Sequence, residues 1–147
     1  MKRSSIRILL VEDSADDVNL FTLAARKCGA HIEMDTVSDG EEAVRYLKRQ
    51  NSYASVKLPD LILLDLNMPR MNGREVLREI KSHSILRRIP VIVMTTSQSP
   101  NDIREAYDCG AACYLTKPDR FEDLKKLVSK LSDFWSLPEY EPDLPKI

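Results

Sequence analysis

The chain has 147 residues, about one domain's length, with 22 basic and 23 acidic side chains and a formal charge of −1. Nothing in that balance suggests a binder of the nucleic-acid backbone, which would need a basic face, and no apolar run approaches the roughly 20 residues that cross a bilayer. The basic start at Lys2 and Arg3 leads into an apolar stretch that ends at Glu12, too short for a signal peptide, so the sequence reads as cytoplasmic, with no membrane and no nucleic-acid partner.

Ile6–Val11 is a continuous apolar run of strand length. Val18, Phe21, Ala25 and Cys28 then recur at helical spacing after Asp13 or Ser14 as a cap, and Gly29 stops the helix. Ile32–Val37 alternates apolar and polar residues, which suits a half-exposed edge strand. Ser38 or Asp39 can cap a second helix carrying Ala43, Val44 and Leu47 on one face. Residues 50–58 form a polar loop before the next strand, Leu61–Leu64. A third helix carries Val76, Leu77 and Ile80, and residues 91–94 form a fourth strand. The helix after Ser99 and Pro100 has a thin apolar face of Ile103, Ala106 and Tyr107. Residues 112–115 are the fifth strand, and a last helix over 120–135 carries Phe121, Leu124, Val128, Leu131 and Trp135 at 3,4,3,4 spacing.

Strand and helix thus alternate five times, which implies a parallel sheet with helices on both faces. The short apolar runs suit strands covered on both sides. Residues 1–135 form one domain. Residues 136–147 hold three of the eight prolines and no helical period, and are expected to be an extended tail with no separate output domain.

Open parallel sheets build their sites at the carboxyl ends of the strands. Glu12 and Asp13 follow the first strand, Asp65 the third, and Thr95 and Thr96 close the fourth. Thr116 and Lys117, then Pro118, close the fifth. Three crowded carboxylates repel one another, and a hard divalent cation such as Mg²⁺, bound through oxygen, relieves that repulsion. Asp65 can attack a phosphoryl group, Lys117 and the cation can stabilise its negative oxygens, and Thr95 can donate to one of them. Each residue alone has an ordinary reading: Asp13 or Ser14 as a cap, Asp65 as a turn residue before Asn67 and Pro69, Thr95 as a strand end, Lys117 as a solvated charge. Their coincidence at the ends of four strands favours a site. Cys28, Cys109 and Cys113 lack the spacing of a disulfide framework or zinc site, and His31 and His83 have no partner at metal-ligand spacing.

The motifs Leu10-Val11-Glu12-Asp13, Leu63-Leu64-Asp65-Leu66-Asn67-Met68-Pro69 with Gly73, Val93-Met94-Thr95-Thr96-Ser97 and Tyr114-Leu115-Thr116-Lys117-Pro118 together resemble the bacterial response-regulator receiver family, over about residues 6–135. The resemblance implies a flavodoxin-like (βα)5 three-layer sandwich with strand order 2-1-3-4-5. It implies Asp65 as phosphoacceptor and Mg²⁺, or Mn²⁺ in its place, held by Asp13, Asp65 and the Asn67 backbone carbonyl, with Glu12 acting through water. It further implies Thr95 as the switch hydroxyl, Tyr114 as the switch aromatic, Lys117 as the phosphate-binding lysine and a cis Lys117–Pro118 bond. The Thr95-Thr96-Ser97 run, the long loop around 52–58 and a last helix ending Phe134-Trp135 before a proline-containing tail are similar to response regulators that serve phytochrome-type histidine kinases. That likeness implies a sensor histidine kinase as phosphoryl donor, phosphorelay signalling to a downstream protein, and a homodimer through helix 4, strand 5, helix 5 and the tail. Trp135, Leu137, Tyr140 and Leu144 are its candidate contacts.

Two other readings compete. A haloacid-dehalogenase-type phosphatase also uses a strand-end aspartate, but needs a second aspartate two residues later, where this chain has Asn67. A phosphorylation-independent, receiver-like interaction module usually lacks a site residue, and here every expected type is present. The chain is therefore read as a phosphoacceptor signalling domain rather than an enzyme, assisting its own phosphotransfer and dephosphorylation.

Overall fold

The computed structural model describes residues 5–28, 31–68 and 70–135, and the side chains of 134 and 135 fall outside that description. Among these residues β1 (Ile6–Val11), α1 (Ala15–Lys27), β2 (Ile32–Val37), α2 (Gly40–Leu47), β3 (Leu61–Leu64), α3 (Gly73–Ser82), β4 (Val91–Thr95), α4 (Pro100–Asp108), β5 (Cys113–Thr116) and α5 (Phe121–Trp135) follow in alternation. All strands are parallel, in the order β2-β1-β3-β4-β5. This is the flavodoxin-like order expected from the sequence. The expected tail and the contact residues Leu137, Tyr140 and Leu144 lie outside the described residues, as does Gly29.

Side chains of a strand alternate between faces, so the central strands feed two cores. Leu9, Val11, Ile62, Leu64, Val91 and Val93 face α2 and α3, where they meet Ala43, Leu47, Val76, Leu77 and Ile80. Ile8, Leu10, Leu61, Leu63 and Met94 face α1 and α5, where they meet Phe21, Ala24 and Val128. Burial on both sides explains the near-continuous apolar runs of β1, β3 and β4. The alternating β2 is an edge strand, as its pattern predicts. β5 differs from the expectation of cover on both faces. It lies at the opposite edge and is only partly buried, because one flank has no neighbouring strand. It also begins one residue later than expected, at Cys113, and β4 extends to Thr95.

Caps resolve the helix starts. The Ser14 hydroxyl accepts from the Asp17 amide at 3.2 Å, and Asp39, rather than Ser38, accepts from the Glu42 amide at 2.8 Å. Asn72 and Glu75 form a reciprocal capping box on α3. The segment 50–58, expected to be a polar loop, is anchored instead. A 3₁₀ turn at Asn51–Tyr53 sets the Tyr53 ring against that of Tyr46, tilted, with ring centres 5.1 Å apart, and Val56 and Leu58 pack on the core. On α4 the thin apolar face is borne out, since only Ala106 is buried and Tyr107 is 48% exposed. One expectation fails: among the described residues no peptide bond is cis, so Lys117–Pro118 is trans, the form favoured by about 0.5–1 kcal/mol before proline.

Candidate functional site

The parallel register brings the ends of β1, β3, β4 and β5 to one rim. The Glu12 amide donates to the Val37 carbonyl and the Asp65 amide to the Val11 carbonyl, continuing the strand ladders one residue past β1 and β3. The Lys117 amide donates to the Thr95 carbonyl at 2.8 Å in the same way. Each of these residues is therefore held by sheet geometry before its side chain makes any contact.

Glu12, Asp13 and Asp65 offer carboxylate oxygens that all lie within 4.8 Å of one another. Glu12 and Asp65 are buried, whereas Asp13 is exposed. Such an oxygen-only set, open on one side to solvent, fits a hard divalent cation that keeps some of its waters. Asn67 donates its backbone amide to Asp65 Oδ1 at 3.3 Å, which fixes the carboxylate's direction. Gly73 begins α3 directly behind it: a Cβ there would sit 2.4 Å from the Asp65 carbonyl oxygen and 2.6 Å from the Leu66 Cα. Only glycine allows this helix to approach the Asp65 backbone so closely.

The Lys117 ammonium crosses the rim to the acids. Its Nζ contacts Glu12 Oε1, lies 2.9 Å from Asp17 Oδ2 and 3.6 Å from Asp65 Oδ2. Burial works against its charge, but the hydrogen bonds to Glu12 and Asp17 and the field of Asp65 hold it well above the ordinary lysine value. Burial pushes the Glu12 carboxyl up to about 7; the Asp65 charge adds to this, and the hydrogen bonds from Lys117 and from the Ser14 amide oppose it. A cation at this site would favour the ionised carboxylates over their protonated forms. The Thr95 side chain is fully buried, and its hydroxyl finds no hydrogen-bond partner among the described residues. Tyr114 is half-buried, and its hydroxyl donates to the Ser97 carbonyl at 2.8 Å.

The side chains expected at the phosphoryl site are therefore placed at or beside this rim: Glu12, Asp13 and Asp65 with carboxylate oxygens within 4.8 Å of one another, Lys117 against Glu12 and 3.6 Å from Asp65, Thr95 at the end of β4, and Tyr114 behind the loop that follows it. Asp17 was not singled out. As an acid in the first turn of a helix it reads as an ordinary favourable charge, and nothing local announces a partner 100 residues away. His83 serves a turn, its Nδ1 accepting from the Ile85 and Leu86 amides. Cys28, Cys109 and Cys113 are free thiols.

Comparison with known proteins agrees with this geometry. The family model "Response regulator receiver domain" matches residues 8–129. Response regulator Rcp1 of Synechocystis is 43% identical over 128 residues, covering 87% of each chain. The crystal structure of the phosphorylated cyanobacterial phytochrome response regulator RcpA superposes with a TM-score of 0.83 at 44% identity, covering 90% of this chain and 94% of that one. The Mn²⁺-bound form of Rcp1 gives 0.83 at 40% identity, covering 96% and 99%. With these motifs, this strand order and these relatives, the chain belongs to the response regulator receiver family, and within it is related to the phytochrome response regulators.

Proposed function

We propose that Asp65 is the phosphoacceptor of this receiver, and that Glu12, Asp13, Thr95 and Lys117 are the residues that serve it. The observation that carries the reading is the meeting of Glu12, Asp13 and Asp65 within 4.8 Å, with the Lys117 ammonium 3.6 Å from Asp65. Receiver domains are paired with histidine kinases, and a phosphohistidine of such a kinase is the donor. An Asp65 carboxylate oxygen attacks the phosphorus, the new P–O bond forms as the P–N bond breaks, and the imidazole leaves with the bonding pair. Mg²⁺, or Mn²⁺ as in the Rcp1 structure, would be held by Asp13, Asp65 and the Asn67 carbonyl, with Glu12 acting through water; when bound it supplies positive charge opposite the phosphoryl oxygens. Lys117 gives a second positive charge, and Thr95, a buried donor without a partner, gives a hydroxyl.

The same reading extends outward. Thr95 moving toward the phosphoryl group pulls on the loop to which Tyr114 is bonded, and so biases the α4, β5 and α5 face. α4 suits this role because it buries little and so opens at low cost. The finer partners proposed from the sequence resemblance are a phytochrome-type kinase, a downstream protein, and a homodimer through this face and the tail. Residues 1–135 would then be the receiver and 136–147 its tail. The compartment is the cytoplasm, in keeping with the lack of a membrane-length apolar helix among the described residues. Attack of water on the acyl phosphate, assisted by the same site, returns the protein to rest.

Mass spectrometry after incubation with Mg²⁺ and acetyl phosphate tests the assignment. A single phosphoryl adduct is expected on the protein and not on Asp65→Asn. An adduct that persists undiminished in Asp65→Asn, or none on the parent protein, overturns it.

A further inference from the structure

An ammonium has three N–H donors. In Lys117 two of them are committed, to Glu12 and, at 2.9 Å, to Asp17, while Asp65 stands at an ion-pair distance of 3.6 Å, beyond hydrogen-bond range. A phosphoryl group arriving on Asp65 therefore draws on an ammonium that two other carboxylates already hold.

The two hydrogen-bonded partners differ in what they lose. The Glu12 side chain is 4% exposed, and breaking its contact would strand a buried carboxylate. The Asp17 side chain is 42% exposed, and water can replace the ammonium there at small cost. Asp17 also stands at a fixed place. It occupies the first turn of α1, its own amide bound by the Ser14 cap, with α1 packed on the same core as α5. Its neighbour Asp16 in the same turn is exposed.

Resting on the phosphoacceptor reading above, we infer that Asp17 is a positioning residue: it holds the Lys117 ammonium on the α1 side of the unphosphorylated site and competes with the phosphoryl group for it. The competition sets how readily the phosphorylated arrangement forms. Removing the Asp17 charge leaves Lys117 free to turn toward Asp65 and its phosphoryl oxygens, and favours the loaded state. In the absence of an anion the same freed ammonium settles further onto Asp65 and opposes cation binding.

The test uses the beryllofluoride anion as phosphoryl mimic at saturating Mg²⁺, titrated by fluorine NMR or calorimetry, and Mg²⁺ alone in a separate titration. Asp17→Asn is expected to bind beryllofluoride about three- to tenfold more tightly, the scale of one charge-assisted contact at a partly exposed site, while binding Mg²⁺ alone more weakly. Asp16→Asn, which removes the same charge without the contact, is expected to match the parent protein, and Asp17→Glu to restore parent-like affinity. Asp17→Asn binding beryllofluoride no tighter than the parent, or Asp16→Asn gaining as much, overturns the inference. Asp65→Asn separates the two readings. If it binds no beryllofluoride, the anion reports on Asp65 and only the role of Asp17 is at stake. If it binds like the parent, or the parent binds none, the phosphoacceptor assignment itself falls, and the role of Asp17 with it.

Discussion

The Tyr114 hydroxyl donates to the Ser97 backbone carbonyl at 2.8 Å, fastening the middle of the edge strand β5 to the loop that leaves Thr95. The same residue's amide, on the open flank of β5, donates to the Tyr107 hydroxyl of α4 at 3.1 Å. Tyr114 is thus bonded to both the loop before α4 and the helix itself. Replacing it with phenylalanine keeps the ring and removes only the first bond. The expected cost is about 0.5–1.5 kcal/mol of stability, the net value of a hydrogen bond, with faster amide exchange confined to residues 97–99. Unchanged exchange there would show that the bond does not hold the loop.

Thr95 offers a prediction with two opposite signs. Its hydroxyl is buried and finds no partner among the described residues, an arrangement that costs free energy in the resting protein. Valine fills nearly the same space without the polar atom. Thr95→Val is expected to raise the resting protein's stability in urea by about 1 kcal/mol, within the usual range for relieving an unsatisfied hydroxyl. It is expected also to weaken the response to beryllofluoride, because the donor toward the phosphoryl oxygen is gone. A destabilised Thr95→Val would mean that the hydroxyl is satisfied at rest.

Gly73 ties the fold to the site. Its missing Cβ lets α3 begin against the Asp65 and Leu66 backbone, where an added methyl would meet atoms at 2.4 and 2.6 Å. Backbone atoms cannot move aside as a flexible side chain can. Gly73→Ala is expected to lose about 1–3 kcal/mol, the cost of forced overpacking, and to lower phosphorylation of Asp65 by displacing it. Urea unfolding with mass spectrometry of the acetyl phosphate adduct checks both. Full stability in Gly73→Ala would show that the loop adjusts.

Most of this architecture was legible because its causes are local. Apolar runs marked the central strands, alternation marked β2 as an edge, and the choices Asp13 or Ser14 and Ser38 or Asp39 marked two helix starts by chemistry that acts over three residues. The clustering of Glu12, Asp13, Asp65 and Lys117 also follows from the rule that parallel strands end together. What escaped the sequence depends on contacts between distant segments. Asp17 looks like any first-turn acid until α1 is placed beside the end of β5. Segment 50–58 looks polar because its anchor, the Tyr53 hydroxyl on Glu42, is itself polar. The partial exposure of β5 is a consequence of its place in the sheet and not of its composition.

α4 shows how charges replace apolar contacts. With only Ala106 buried, it is clasped to α3 by Arg74, whose guanidinium contacts Asp102 and lies 2.6 Å from Glu105. Asp102 also accepts from the Ser97 hydroxyl at 2.5 Å, so the clasp reaches the same loop that Tyr114 holds. Ion pairs with exposed members are weakened by salt. Arg74→Met is expected to speed amide exchange at 103–108 without changing it in β1 or β3. Raising ionic strength is expected to have the same effect on the parent protein and little on the variant. Equal salt sensitivity in both would show that the clasp is not what holds the helix.

The anchored segment gives a pH prediction. The hydrogen bond to Glu42 comes first among the causes that push the Tyr53 hydroxyl up to about 12; partial burial and the Glu42 charge add to it. An unfolded tyrosine titrates near 10. Between these values the folded protein binds the proton that the unfolded chain has released. The contribution to stability is therefore complete below about pH 10 and is lost as pH rises from there through about 12. Tyr46 is held up as well, by burial and by its bond to Asp35, so a Tyr46→Phe background isolates Tyr53. In that background Glu42→Gln is expected to bring the late tyrosinate absorbance step down toward 10 and to flatten the alkaline loss of stability over the same range. A late step that stays near 12 in Glu42→Gln would show that burial, and not the carboxylate, holds the Tyr53 proton.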